Sequence, residues 1–181
     1  LIIFLFSGAN NTGHTYIPPM LKFDGLAVGV AATVVSVSVL FESPITLFSN
    51  KFMDHFTSKT IFSFAILAIC LQYLVYSLDV DVFYKIIASL LIKHTSGMTF
   101  IMVNMKIVNS LVDKKILITA LAIVQTVRNL GSILFQNISG FILDNYSFNF
   151  LFLFLLIVML VAFVCLRVLP LPSGNEEKLF I

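Results

Sequence analysis

Charged residues are scarce in this chain. Only 11% of its 181 residues are Asp, Glu, Lys or Arg, against roughly 25% in a soluble domain. A water-exposed surface cannot be covered with so few, which excludes a soluble globular domain. Tryptophan is absent, and cysteine occurs only as Cys70 and Cys165, each inside an apolar run. Two isolated thiols without zinc or redox spacing read as small apolar residues. No basic run exists, and a formal net charge of +2 is too small to hold a nucleic acid. The chain carries no His-Glu-x-x-His, no nucleophile elbow and no phosphate loop. Nothing therefore points to an enzyme, a metal, a cofactor or direct use of ATP.

What is present is apolar mass. Hydrophobic residues make up 59% of the chain and the mean hydropathy is +1.04, so its solvent is expected to be the lipid bilayer. A span needs about 20 mainly apolar residues. The pattern predicts six: Leu1 to Met20 (ended by Pro18-Pro19), Gly25 to Ser49, Thr60 to Leu78, Val82 to Asn109, Ile116 to Leu143, and Phe148 to Leu169 (ended by Pro170 and Pro172). Residues 1–169 form the predicted transmembrane bundle and 170–181 a cytoplasmic tail. The opening Leu1-Ile2-Ile3-Phe4 has no basic region and no cleavage site of a signal peptide. It reads as a helix entered partway, so the chain is expected to be a fragment with an N-terminal part missing.

With sides alternating along the chain, Lys51, Lys59, Lys106, Lys114, Lys115, Arg167 and Lys178 gather at one face, and only Lys22 and Lys85 at the other. Basic residues near span ends favour the cytoplasm. The first span is thus expected to run outward and the tail to lie inside, in a multi-pass protein of the plasma membrane.

An internal repeat is visible. Ser49-Asn50-Lys51-Phe52-Met53-Asp54-His55-Phe56-Thr57 and Ser139-Gly140-Phe141-Ile142-Leu143-Asp144-Asn145-Tyr146-Ser147 both read Ser, four residues, Asp, polar, aromatic, hydroxyl. Copies three spans apart have opposite orientations, giving a three-plus-three inverted repeat, as in each half of a major facilitator transporter. The stretch Asn50 to Lys59 resembles the signature loop of that superfamily, with Asp54, His55 and Lys59 at its acidic and basic positions and Asn50 and Thr57 in place of its two glycines. Glu42-Ser43-Pro44 with Phe48 to Lys51, and His94 to Lys106, resemble the eighth and tenth helices of the proton-symporter branch that holds lactose permease, phenylpropionate permease and nucleoside symporters. The resemblance implies an all-α bundle, helices seven to twelve of a twelve-helix fold. It also implies peripheral third and sixth helices, and transport of a small solute with protons. One departure bears on coupling: where lactose permease has a Glu one turn after that His, this chain has Gly97.

Ionisable groups within a membrane are costly and usually mark a pathway. Glu42, Lys93, His94 and Arg128 all lie on the second, fourth and fifth spans. Glu42 is a proton-coupling candidate, since a carboxylate in low-dielectric surroundings exchanges its proton nearer neutral pH; the alternative is an ion pair with Arg128 or Lys93. Pro44 removes a backbone donor and loosens the helix beside it. His94 is the second proton-coupling candidate, or else a neutral imidazole bonded to a neighbouring helix. Lys93 points about 100° away from it and is either a further substrate or cavity candidate or a side chain that snorkels to the membrane surface. Gln125, Arg128 and Asn129, at i, i+3 and i+4, share one cavity-lining face. Arg128 there binds an anionic solute, pairs with Glu42 or ties helices together. Asn10, Asn11 and His14 lie in a polar stretch of the first span, where a broken helix and solute contacts are expected. Gly131 and Gly140 read as sites of close helix packing.

The leading expectation is a proton-coupled secondary transporter that works with a missing N-terminal half. The alternatives are a self-contained six-span structural subunit or homodimeric channel, and an inactive remnant.

Overall fold

The computed structural model describes residues 1–53 and 55–169. Asp54 of the signature loop and the tail 170–181, with Lys178, lie outside the described residues. Helices α1 (Ile2–Phe23), α2 (Val28–Val39), α3 (Glu42–Leu47), α4 (Ser49–Met53), α5 (Ser58–Ser77), α6 (Val82–Leu91), α7 (Lys93–Leu111), α8 (Leu117–Asn145) and α9 (Phe148–Val168) account for most of them. They assemble into six rods: α1, the interrupted run α2–α3–α4, α5, the interrupted run α6–α7, α8 and α9. The last five rods are long and apolar enough to cross a membrane. The first is as long, but Ser7 to His14 make it polar.

Two expectations about the first rod fail. It is one continuous helix through its amides and glycines, and it passes Pro18 and Pro19 to end at Phe23. Each proline removes one donor to a carbonyl four residues back, a loss membrane helices tolerate where neighbours compensate. The second and fourth rods are broken instead. Pro44 offers no N–H to the carbonyl of Leu40, and Ser43 N takes that carbonyl at 3.3 Å. Leu40 and Phe41 also bond three residues back, to Val37 and Ser38, tightening the chain between α2 and α3. The break at Ile92 has neither Pro nor Gly. There Thr95 Oγ1 donates to the carbonyl of Leu91 at 2.7 Å, a contact that bends helices.

Lipid gives helices no hydrophobic reason to associate, so packing and interhelical hydrogen bonds must hold them. α1 lies along α8 and also meets α9; α5 lies along α9 and α7; α2 meets α6, and α3 meets α7. Between α5 and α9, Tyr73 and Tyr76 pack on Phe152, all fully buried. Phe6 of α1 stacks on Phe100 of α7 with centroids 3.5 Å apart. The outward side of α5 shows Phe64, Leu67, Leu71, Leu74 and Leu78, an unbroken apolar stripe at helical spacing suited to lipid.

Buried polar groups pin the ends. Lys85 Nζ of α6 meets Asp24 Oδ2, just past α1, at 2.8 Å with its side chain only 3% exposed. Beside it Gln72 Nε2 donates to Tyr76 Oη, which bonds Ser89 Oγ. At the other end Lys106 Nζ donates to the Met53 carbonyl at 2.5 Å, and Lys59 Nζ to that of Arg167. Asp24→Asn is expected to destabilise the protein by on the order of 3 kcal/mol, because it leaves a buried ammonium uncompensated. Pairing it with Lys85→Met should recover much of that loss in thermal unfolding of the detergent-solubilised protein.

Candidate functional site

A polar cavity of about 200 Å³ opens among α1, α3, α7 and α8. Asn10, Asn11, His14, Glu42, His94, Gly97 and Arg128 line it together with Phe6, Ser7, Met98, Phe100 and Ile101. Each helix delivers its share by periodicity. On α1, Ser7, Asn10, Asn11 and His14 recur at three and four residues, forming one stripe. On α8, Gln125, Asn129, Ser132 and Gln136 form another. The two stripes bond each other: Asn11 Nδ2 donates to Ser132 Oγ at 2.7 Å, Arg128 Nε to Ser7 Oγ at 3.2 Å, and Tyr16 Oη approaches the Gln136 carbonyl. This seam demands close backbones, and Gly8 and Gly131 supply the approach: a Cβ on Gly131 would lie 2.5 Å from the Phe4 carbonyl oxygen.

Glu42 and His94 meet directly, His94 Nδ1 against Glu42 Oε1. Both stand just beyond the breaks of their rods, Glu42 as the first residue of α3 and His94 as the second of α7. The breaks therefore place the acid and the imidazole at one spot. Glu42 keeps 34% of its side chain exposed and His94 12%, so the carboxylate is the open member. The far nitrogen of His94, Nε2, is buried without a partner among the described residues, and so is Nε2 of His14. The two rings stand edge to face at 5.1 Å.

The other sequence candidates fall into three groups. Gln125 and Asn129 bond each other at 3.0 Å, and Gln125 Oε1 accepts from Arg128 Nη1 at 3.1 Å; both face outward beside the cavity. Lys93 does not line it and does not snorkel. It is 2% exposed, held mid-rod by the packing at the Ile92 break. His55 is exposed and Lys59 half-buried, its Nζ donating to the Arg167 carbonyl; neither lines the polar cavity, and Asp54 is outside the described residues. Glu42 pairs with neither Arg128 nor Lys93: within 4.0 Å the acids among the described residues engage only Lys85 and His94. Gly140 makes no close approach, the nearest atom to its would-be Cβ being Tyr16 Oη at 3.9 Å.

Sequence reasoning missed Ser7, Ser132 and Gln136. Ser132 and Gln136 carry a readable signal, since they continue the row begun by Gln125 and Asn129.

The sequence model of the family described as Major Facilitator Superfamily matches residues 1–179. No curated protein matches the chain.

Proposed function

Because the chain belongs to the Major Facilitator Superfamily, a family of membrane transporters, we propose that it carries a small solute across the plasma membrane by alternating access, driven by protons. The observation that carries the coupling is the Glu42–His94 contact inside a polar cavity of an otherwise apolar bundle. In such a contact one proton can lie between the carboxylate and the imidazole. Glu42 is open enough to exchange that proton with the cavity, while Gly97 leaves the pair without the extra carboxylate of lactose permease. Membership of the proton-symporter branch is part of this reading.

The packing supports a three-plus-three inverted repeat. Exchange each of the first three rods with its counterpart three rods later, and α1 on α8 becomes α6 and α7 on α2 and α3. The pairing of α5 with α7 becomes that of α9 with α1, and the pairing of α5 with α9 maps onto itself. Ser49 and Ser139, equivalent in the repeat, are both buried. The first rod is then a sixth span, its amides sheltered by α8. The basic ends of α5, α7 and α9 lie in the cytoplasm, as does the tail. The exposed amides of α8 (Gln125, Asn129 and Asn137) call for cover at membrane depth, which a second helical half would give by closing the cavity from the other side.

The test uses vesicles holding the full-length protein in weakly buffered medium with a pH dye. A solute that is carried should evoke alkalinisation of the medium, and a protonophore should remove it. A solute accumulated against its gradient without any proton movement would sink the coupling.

A further inference from the structure

Arg128 is the cavity's unanswered charge. Its guanidinium stays ionised at any working pH, and it sits well inside α8. Its two bonds go to neutral oxygens, Nε to Ser7 Oγ at 3.2 Å and Nη1 to Gln125 Oε1 at 3.1 Å. Those bonds orient the group without neutralising it. A guanidinium has five N–H donors, so three remain. Among the described residues no carboxylate lies within 4.0 Å of it.

The charges facing the cavity can be counted. Glu42 and His94 sum to zero when they share one proton, whichever atom holds it, and to plus one when each carries its own. The other lining groups, His14, Asn10 and Asn11, supply no negative charge. Lys93, buried beside His94 in the chain, adds to the positive side. The proton-loaded cavity is therefore cationic, and a half-buried charge at membrane depth calls for a partner.

Resting on the transport reading above, we infer that the carried solute is a small organic anion whose carboxylate seats on Arg128. A carboxylate accepts two parallel N–H bonds from a guanidinium, which no hydroxyl or amide of a neutral solute reproduces. Asn10 Nδ2, close to the bare backbone of Gly97, is a further donor on the same wall. The stacked Phe6 and Phe100 with Met98 and Ile101 offer an apolar wall for the carbon skeleton. One proton taken up with one carboxylate leaves the loaded cavity no more charged than the empty one.

The experiment compares matched pairs that differ in charge alone: lactate and lactamide, benzoate and benzamide, glucuronate and glucose. Each is assayed for exchange by the full-length protein in vesicles. Within at least one pair the carboxylate should act at a concentration tenfold to a hundredfold lower, on the order expected for a charge-assisted hydrogen bond. Arg128→Gln should erase that preference and Arg128→Lys retain part of it; the comparison on the unmodified protein stands even where a variant does not fold. A preference that survives Arg128→Gln, or neutral members exchanged as well as their anions, overturns the inference and leaves the transport reading intact. Silence with every pair overturns the inference, and silence across a wider panel of neutral and cationic solutes overturns the transport reading with it.

Discussion

Glu42→Gln is expected to abolish proton-driven accumulation while sparing exchange of solute for solute. The amide has nearly the same shape as the acid and can still hydrogen-bond His94 Nδ1, so the contact between α3 and α7 persists. What it cannot do is take or release a proton. At one proton per solute, a pH step of one unit supports about tenfold accumulation, since each unit is worth 1.36 kcal/mol. The variant should fall to no accumulation at all. Exchange moves no net proton and should continue at a comparable rate. Both are read from labelled solute in vesicles at zero membrane potential. Accumulation that survives the substitution would make the Glu42–His94 contact a structural tie.

The largest effect on assembly is expected at Gly131. A methyl there meets the backbone of α1, with the Phe4 carbonyl oxygen at 2.5 Å and Gly8 N at 3.4 Å. A side chain could swing aside, but backbone cannot, so the two helices must separate. Overpacking of this kind costs about 1–3 kcal/mol, and each interhelical hydrogen bond lost with it, such as Asn11 to Ser132, adds on average about 0.6 kcal/mol. With the better helix propensity of alanine offsetting about 0.5–1 kcal/mol, Gly131→Ala should lose on the order of 1–3 kcal/mol in denaturing-detergent titration. Gly140→Ala is the control. Its methyl would find only a tyrosine hydroxyl at 3.9 Å, and alanine is the better helix former by about 0.5–1 kcal/mol, so neutrality or a slight gain is expected. Equal losses at both positions would remove close approach as the explanation.

The rods themselves are legible in the sequence because hydropathy and the polar connections between them are local properties. So is the face shared by Gln125, Arg128 and Asn129, which follows from helical spacing alone. Interruptions are harder. Pro44 announces the break before Glu42, but the break at Ile92 is accompanied only by a threonine hydroxyl bonding a carbonyl, and threonines make the same contact in the unbroken α1 and α8. Pro18 and Pro19 mislead in the other direction, since prolines that would end a helix in water are carried by α1. Partnerships are least legible. Whether Glu42 meets Arg128, Lys93 or His94 depends on how three rods rotate against one another, and that is settled by packing such as Gly8 on Gly131 and Phe6 on Phe100. Lys93 is the clearest case: its length suggests a reach toward the membrane surface, yet its place at mid-rod leaves it enclosed.

The fourth rod is fastened near each end by a single ammonium, Lys85 to Asp24 on one arm and Lys106 to the Met53 carbonyl on the other. Between them, about 30 Å of helix at 1.5 Å per residue, the backbone is interrupted only at Ile92. In mechanical terms the rod is a compound lever, with two anchored arms and a fulcrum at the level of Glu42 and His94. A stiff rod would pass any tilt of one end straight to the other, whereas this one has a joint between its two anchors.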